Sequence, residues 1–276
     1  MQTTPTRRSS RFVARSAPTE PSGVNEHLSP LFEFDPSPDA VINPSIHRAL
    51  LGFPRHAVMC WFGNVVLERT AGLTPVHMVP FEHGHHPVCV IEHHGVPVAL
   101  VSPGVGAPAA VTSLEVLIAL GATDIIGCGG AGIVKPGFDV GHVIVPTGAI
   151  RDEGTSYHYA PHDAIVAPHP RALVAIDEVL TEAGVPHDRG LTWTTDAFFR
   201  ETQGKVARRR EQGCLAVEME AAAMFACAAF RGAVYGQLLY AGDDVSAAEW
   251  DHRNWDEHSS VRDHLLELAL DAVIRL

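Results

Sequence analysis

No apolar run in these 276 residues is long enough to cross a bilayer, and positive charge is scarce. Twenty Lys and Arg stand against 32 Asp and Glu, a net charge of -12. The first absence argues against a spanning helix; the second argues against nucleic-acid backbones and anionic membrane surfaces as partners. Cysteine is sparse as well. Five residues (Cys60, Cys89, Cys128, Cys214, Cys227) are an odd number set mostly in apolar runs, which reads as buried, reduced thiols of a cytoplasmic protein. The Arg7-Arg8 pair is not followed by the apolar segment that an export signal carries. Residues 1–25, with four arginines among many Ser, Thr and Pro, hold little that could be buried. We expect a disordered extension there, ahead of one domain over 26–276. Standard metal-ligand spacing is also missing. His83, His85 and His86 beside Glu82, and His93 and His94 beside Glu92, read as two polar hairpin tips, so neither a metal nor a cofactor is expected.

What is present is 46% hydrophobic and 19% charged, enough for one large α/β core. His56 to Phe62 reads as a buried first strand ending at Gly63-Asn64. Val76–Val79, His86–Ile91 and Val96–Val101 read as sequential strands. Gly104-Val105-Gly106 opens a helix over 109–120, and small residues before a helix N-terminus favour an anion. Asp124 to Val134 reads as a strand running into a glycine-rich turn. The polar run Arg151 to Tyr159 has the make-up of a substrate loop or of a solvated turn. Arg171 to Ala183 has helical periodicity, 233–240 reads as the last core strand, and a C-terminal amphipathic helix covers 261–274.

The densest chemical signal is Val217-Glu218-Met219-Glu220-Ala221, followed by a nearly polar-free helix. Alternate side chains of an extended segment share a face, so Glu218 and Glu220 are expected to point together where a strand ends. Two buried acids need partners. The hydroxyls of a vicinal diol are one answer, and the free amides of the helix start are the other.

This run resembles the ribose-binding signature of the nucleoside phosphorylase family, which holds purine and uridine phosphorylases and related nucleosidases. The resemblance extends from about Leu31 onward, through the glycine-rich segment 127–132 and the loop 149–159. It implies a single three-layer α/β/α domain with a mixed, partly barrel-like central sheet. It implies cleavage of a nucleoside's N-glycosidic bond, by phosphorolysis to free base and (deoxy)ribose 1-phosphate, with inorganic phosphate as co-substrate. It also implies a homodimer, or a hexamer built from dimers, whose sites borrow residues from a partner around Phe34 to Pro44. By the same resemblance Met219 packs on the sugar and Glu220 binds its hydroxyls; Glu218 is the second candidate contact to the diol on the reading of the residues alone. Asp243 protonates the leaving base, Phe199 (or Phe198), Arg200 and Gln203 contact the base, and Thr155 lies in the substrate loop.

The phosphate side departs from the family. Its arginine after the first glycine loop falls on Leu67, its second arginine on Gly127, and its Ser or Thr on Gly130. Backbone amides of Gly63, Gly106 and Gly129, with Arg151 as a relocated cation, would then have to hold the anion. Two such charged contacts are worth about 3–6 kcal/mol together, enough to weaken phosphate by a hundredfold or more. Water is therefore the alternative nucleophile, making the protein a nucleosidase, with Glu68 the nearest acid to activate it. A nucleoside-binding or storage protein without turnover is a third reading. Asp243 tilts the base toward purines and the 154–158 loop toward pyrimidines.

Overall fold

Strand β5 (Asp124–Ile133) is the element on which the others assemble. The computed structural model describes residues 29–276; the extension expected over 1–25 lies outside them. On one side β5 pairs in parallel with β1 (His56–Cys60), and on the other with β9 (Val234–Asp244). Its last residues turn to pair antiparallel with β8 (Cys214–Glu218). Beyond β1 lie β4 (Val96–Val101), β3 (Gly84–His93) and β2 (His77–Phe81), the last two joined as a hairpin. Beyond β8 lie β7 (His187–Thr195) and β6 (Val143–Asp152), and β6 returns to β9. The nine-stranded sheet therefore closes on itself over β5-β8-β7-β6-β9, a five-stranded barrel with a four-stranded wing. The expected mixed, partly barrel-like sheet between helical layers is what forms.

Alternation along the strands sorts the core into two layers. Ala57, Met59 and Ile125 face α2 (Ala107–Leu120) and α5 (Ala221–Arg231). Val58, Cys60, Ile126 and Cys128 face α3 (Pro170–Glu182) and α6 (Ser259–Val273). Side chains such as Leu114 and Leu117 are wholly buried, each contributing about 1.5–3 kcal/mol. Two shorter helices, α1 (Gly63–Arg69) and α4 (Gln203–Glu211), follow β1 and β7. All five cysteines are buried free thiols.

The sequence-based expectation fails at the glycines. Gly127, Gly129, Gly130 and Gly132 form no turn; all lie within β5. Their missing side chains leave room for rings. A Cβ on Gly127 would collide with the Tyr235 hydroxyl and stand 3.2 Å from Trp61, and one on Gly130 would stand 3.2 Å from Tyr240. The segment is glycine-rich because three aromatic side chains cross it, not because the chain reverses there.

Candidate active site

The two glutamates part company at the β8–α5 junction. Glu218 turns beneath the helix start. One carboxylate oxygen accepts the amides of Glu220 and Ala221 at 2.7 and 2.6 Å, the other the Thr194 hydroxyl at 2.6 Å. The Thr194 hydroxyl in turn accepts the Ala222 amide at 2.9 Å. Three amides that the first helical turn leaves unpaired are thus satisfied from β8 and β7. Glu220 reaches the other way: its Oε1 accepts the Gly106 amide, at the start of α2, at 2.6 Å, and its Oε2 the Met219 amide at 3.3 Å. The shared face expected of the pair is absent because extended backbone ends at Glu218, and alternation ends with it. Glu218 takes the helix-amide role; Glu220 is left facing the loop before α2, with Met219 half-buried between them.

Burial raises both carboxyl groups. Glu218 is pulled back by its hydroxyl and amide donors. Glu220 is pushed to about 8 by burial and then by the charge of Glu218. The stable arrangement keeps the charge on Glu218 and a proton on Glu220 near neutrality. A cation forming beside Glu220 reverses that preference.

Asp243 and Asp244, adjacent at the end of β9, also divide their work. Asp244 pairs with Arg253 and accepts the Ser246 amide at 2.7 Å, fixing the chain after the strand. Asp243 receives the Trp250 indole N–H on Oδ2 at 2.7 Å. Its Oδ1 lies 3.4 Å from where a Gly132 side chain would begin, and Gly132 is paired with Val217, next to Glu218. Burial raises Asp243, and the Trp250 bond opposes it. Glu201 belongs here too: burial and then the charge of Asp243 push it to about 7. Sequence reasoning missed Glu201, since an acid in a polar loop carries no signal until the fold sets another acid beside it.

The expected phosphate cradle is differently occupied. Gly63 opens α1, Gly106 caps α2, and Gly129 lies on β5 under the Trp61 ring. The Gly106 amide already donates to Glu220. Arg151 is turned into its own loop: Nε donates to Ser156, and the terminal nitrogens to the carbonyls of Pro161, Ala164 and Ala160, with the guanidinium over Tyr157. It braces residues 151–164 rather than facing the glycines, because burial drives a guanidinium toward every carbonyl in reach. Leu67 and Glu68 are exposed on α1. Two donors that sequence reasoning passed over stand near the cradle, the Trp61 indole N–H and His86 Nδ1, both buried and without a partner among the described residues. His86 sits 3.5 Å from the missing Gly104 side chain, and the Ser102 hydroxyl 3.7 Å from that of Gly63.

Comparison with known proteins places this architecture. Residues 55–275 match the model of the phosphorylase superfamily. The chain belongs to that superfamily. A guanosine phosphorylase of Halorubrum lacusprofundi is 27% identical, the match covering 76% of this chain and 84% of that one. A uridine phosphorylase of Escherichia coli is 25% identical over 76% of this chain and 88% of its own. Among solved structures, an AMP nucleosidase from Bacteroides thetaiotaomicron superposes with a TM-score of 0.66 at 24% identity, covering 82% of this chain and 90% of that one. That last likeness shows the fold.

In this superfamily member the segment expected at the base follows β7, whose last residues flank Glu218 through Thr194. Phe198 and Phe199 lie 4.1 Å apart between centroids, their rings tilted by 40°, and are exposed, as is Arg200. Gln203 donates to the Ala248 carbonyl at 3.1 Å, holding this loop to the one that carries Trp250. Thr155 lies elsewhere. It lines a cavity of about 700 Å3 between α2 and residues 40–47, with Glu115, Tyr159 and Arg231, and none of the lining residues belongs to the Glu218–Glu220 turn.

Proposed function

We propose that this protein cleaves the N-glycosidic bond of a nucleoside, with Glu220 and Asp243 carrying the chemistry and water as the attacking group. The observation that supports it most is the placement of a buried acid, Glu220, and a half-buried one, Asp243, both of raised pKa, at the β8 and β9 ends of one barrel. Cleavage sends the bonding electron pair of the C–N bond to the base nitrogen, and the proton of Asp243 Oδ1 follows it. Trp250 holds the other oxygen, so the acid presents one face. The sugar carbon left behind is cationic; Glu220, passing its proton to solvent as that charge develops, stabilises it and binds a ribose hydroxyl. Water adds to the carbon to yield free sugar; the proton it releases restores the Asp243 carboxyl group, and Glu220 takes its proton back from solvent.

Water rather than phosphate is supported by what fills the cradle. Tyr235, Trp61 and Tyr240 stand where the arginine and hydroxyl of the phosphorylases would start, Arg151 is engaged in its loop, and the Gly106 amide faces a carboxyl group. An anion there would have to displace the Glu220 carboxyl group from the Gly106 amide, with Arg151 turned into its own loop.

Phosphorolysis, giving sugar 1-phosphate, is the second reading. The names of the guanosine and uridine phosphorylase relatives favour it. A panel of purine and pyrimidine nucleosides, assayed for base and sugar products with and without phosphate, separates the readings. Equal base release in both, with free sugar as product, is expected. Sugar 1-phosphate formed at micromolar phosphate would replace water by phosphate. Binding without release from any nucleoside would overturn both and leave a storage protein.

A further inference from the structure

The β3–β4 hairpin carries His93 and His94 in succession. Neighbouring side chains on a strand point to opposite faces, and these two rings should part. They do not, because His94 takes a left-handed φ of 50° and Gly95 follows at 78°. Histidine is among the few residues with a side chain that tolerate that region. The turn swings His94 back over His93, with ring centroids 4.3 Å apart. Both rings then reach one oxygen on α6: His93 Nε2 lies 2.7 Å and His94 Nε2 3.3 Å from Asp271 Oδ1. The other nitrogen of His93 faces Glu267, one helical turn earlier, at 3.9 Å, and Glu267 is paired with Arg69 of α1.

We propose that His93, His94 and Asp271 form a binding site for a divalent cation of the zinc class, completed by water. The three ligand atoms lie within 4.8 Å of one another. Tetrahedral zinc, with bonds of about 2.0–2.2 Å, needs its ligand atoms roughly 3.3 Å apart. The His94–Asp271 separation has that value, and the His93–Asp271 separation must open by about half an ångström, well within the freedom of a half-exposed aspartate. Two imidazoles and one carboxylate suit zinc over calcium or magnesium, which prefer oxygen alone. A ligating histidine commonly directs its second nitrogen to a carboxylate, as His93 does toward Glu267. Spacing could not disclose the site, since Asp271 is 178 positions from His93.

The site is structural by position. Strand β4 starts after this hairpin and ends before Ser102, so its six residues separate the triad from the Gly104–Gly106 loop by about 20 Å. An ion here touches neither Glu220 nor Asp243; it staples the hairpin to the last helix. Because the triad exists only in the folded chain, binding adds to stability.

The test uses the full chain stripped with a chelator, titrated with zinc chloride against a chromophoric chelator and followed by thermal unfolding. One tight equivalent and a raised Tm are expected. Two variants carry the decision: His94→Asn, which keeps the left-handed preference without the ring, and Asp271→Asn, which keeps the shape without the charge. Each should weaken the tight equivalent more than about tenfold and abolish the Tm rise. The chain holds 17 histidines, and zinc taken up by the others appears equally in parent and variants. Equal tight binding in all three proteins, or no zinc-dependent Tm rise in the parent, overturns the proposal.

Discussion

Glu220 accepts the Gly106 amide at 2.6 Å, joining the start of α5 to the start of α2 across the open end of the sheet. The bond puts a carboxyl group where the glycine loop would otherwise receive an anion. Two helix N-termini lend it partial positive charge, while burial beside Glu218 withholds its ionisation. A site of this kind responds to a cation forming in front of it.

Glu220→Gln keeps the bond to Gly106, since an amide oxygen also accepts, but loses the charge. The loss of transition-state stabilisation should be about 2–4 kcal/mol, a fall in kcat/KM of roughly 30- to 1000-fold. Steady-state kinetics on whichever nucleoside is cleaved will measure it. An unchanged kcat/KM would leave Glu220 as a helix-joining residue only.

Stability should fall as pH rises. Glu220 titrates near 8 and Glu201 near 7 in the folded chain, and both drop to ordinary carboxyl values on unfolding. The folded state therefore holds protons that the unfolded state releases, so each contribution is complete below about pH 4.5 and is lost as pH climbs to about 7 for Glu201 and 8 for Glu220. Thermal unfolding at pH 5, 6, 7 and 8 should show a descending Tm, with a shallower descent in Glu220→Gln. A rising Tm over that range would show that both carboxyl groups are ionised when folded.

Asp243→Asn removes the proton offered to the leaving base while Trp250 can still donate to the amide oxygen. We expect kcat to fall about 10²- to 10⁴-fold for natural nucleosides. A nucleoside whose leaving group needs no proton should lose far less. Equal losses on both substrates would assign Asp243 to positioning.

The layers of this fold were legible because short, continuously apolar strands such as Ala57–Cys60 and apolar helices such as Ala221–Ala228 announce themselves locally. Glu220 and Asp243 were legible as residues, since acids next to buried strands stand out. Their partners were so only in part. The helix amides were one of the two expected partners, but that Glu218 takes them while Glu220 turns away, or that Glu201 lies beside Asp243, depends on where the chain turns after each strand. Arg151 misled because a lone arginine in a polar loop looks available until the carbonyls of 160–164 fold around it. The glycines of β5 misled in the opposite sense. They suggested a turn, whereas the reason for them is carried by Trp61, Tyr235 and Tyr240, distant in sequence.

That reason is testable by restoring the side chains. Gly127→Ala drives a methyl group into the Tyr235 hydroxyl, with Trp61 closing the other side, in a strand paired on both flanks. Overpacking of this kind should cost about 1–3 kcal/mol, seen as a lower denaturant midpoint with an unchanged slope. Gly130→Ser adds a side chain whose Cβ meets the Tyr240 ring at 3.2 Å, a contact that a shift of a few tenths of an ångström relieves, so its cost should be smaller. The order of the two matters most. If Gly130→Ser were the more damaging, or if Gly127→Ala were neutral, the rings would not be what holds these positions to glycine, and the space along β5 would be open to a phosphate-binding side chain after all. Combining Gly127→Ala with Tyr235→Phe, which removes the hydroxyl that the methyl group meets, should recover most of the lost stability. Failure to recover it would move the constraint from the side chains to the backbone of β5.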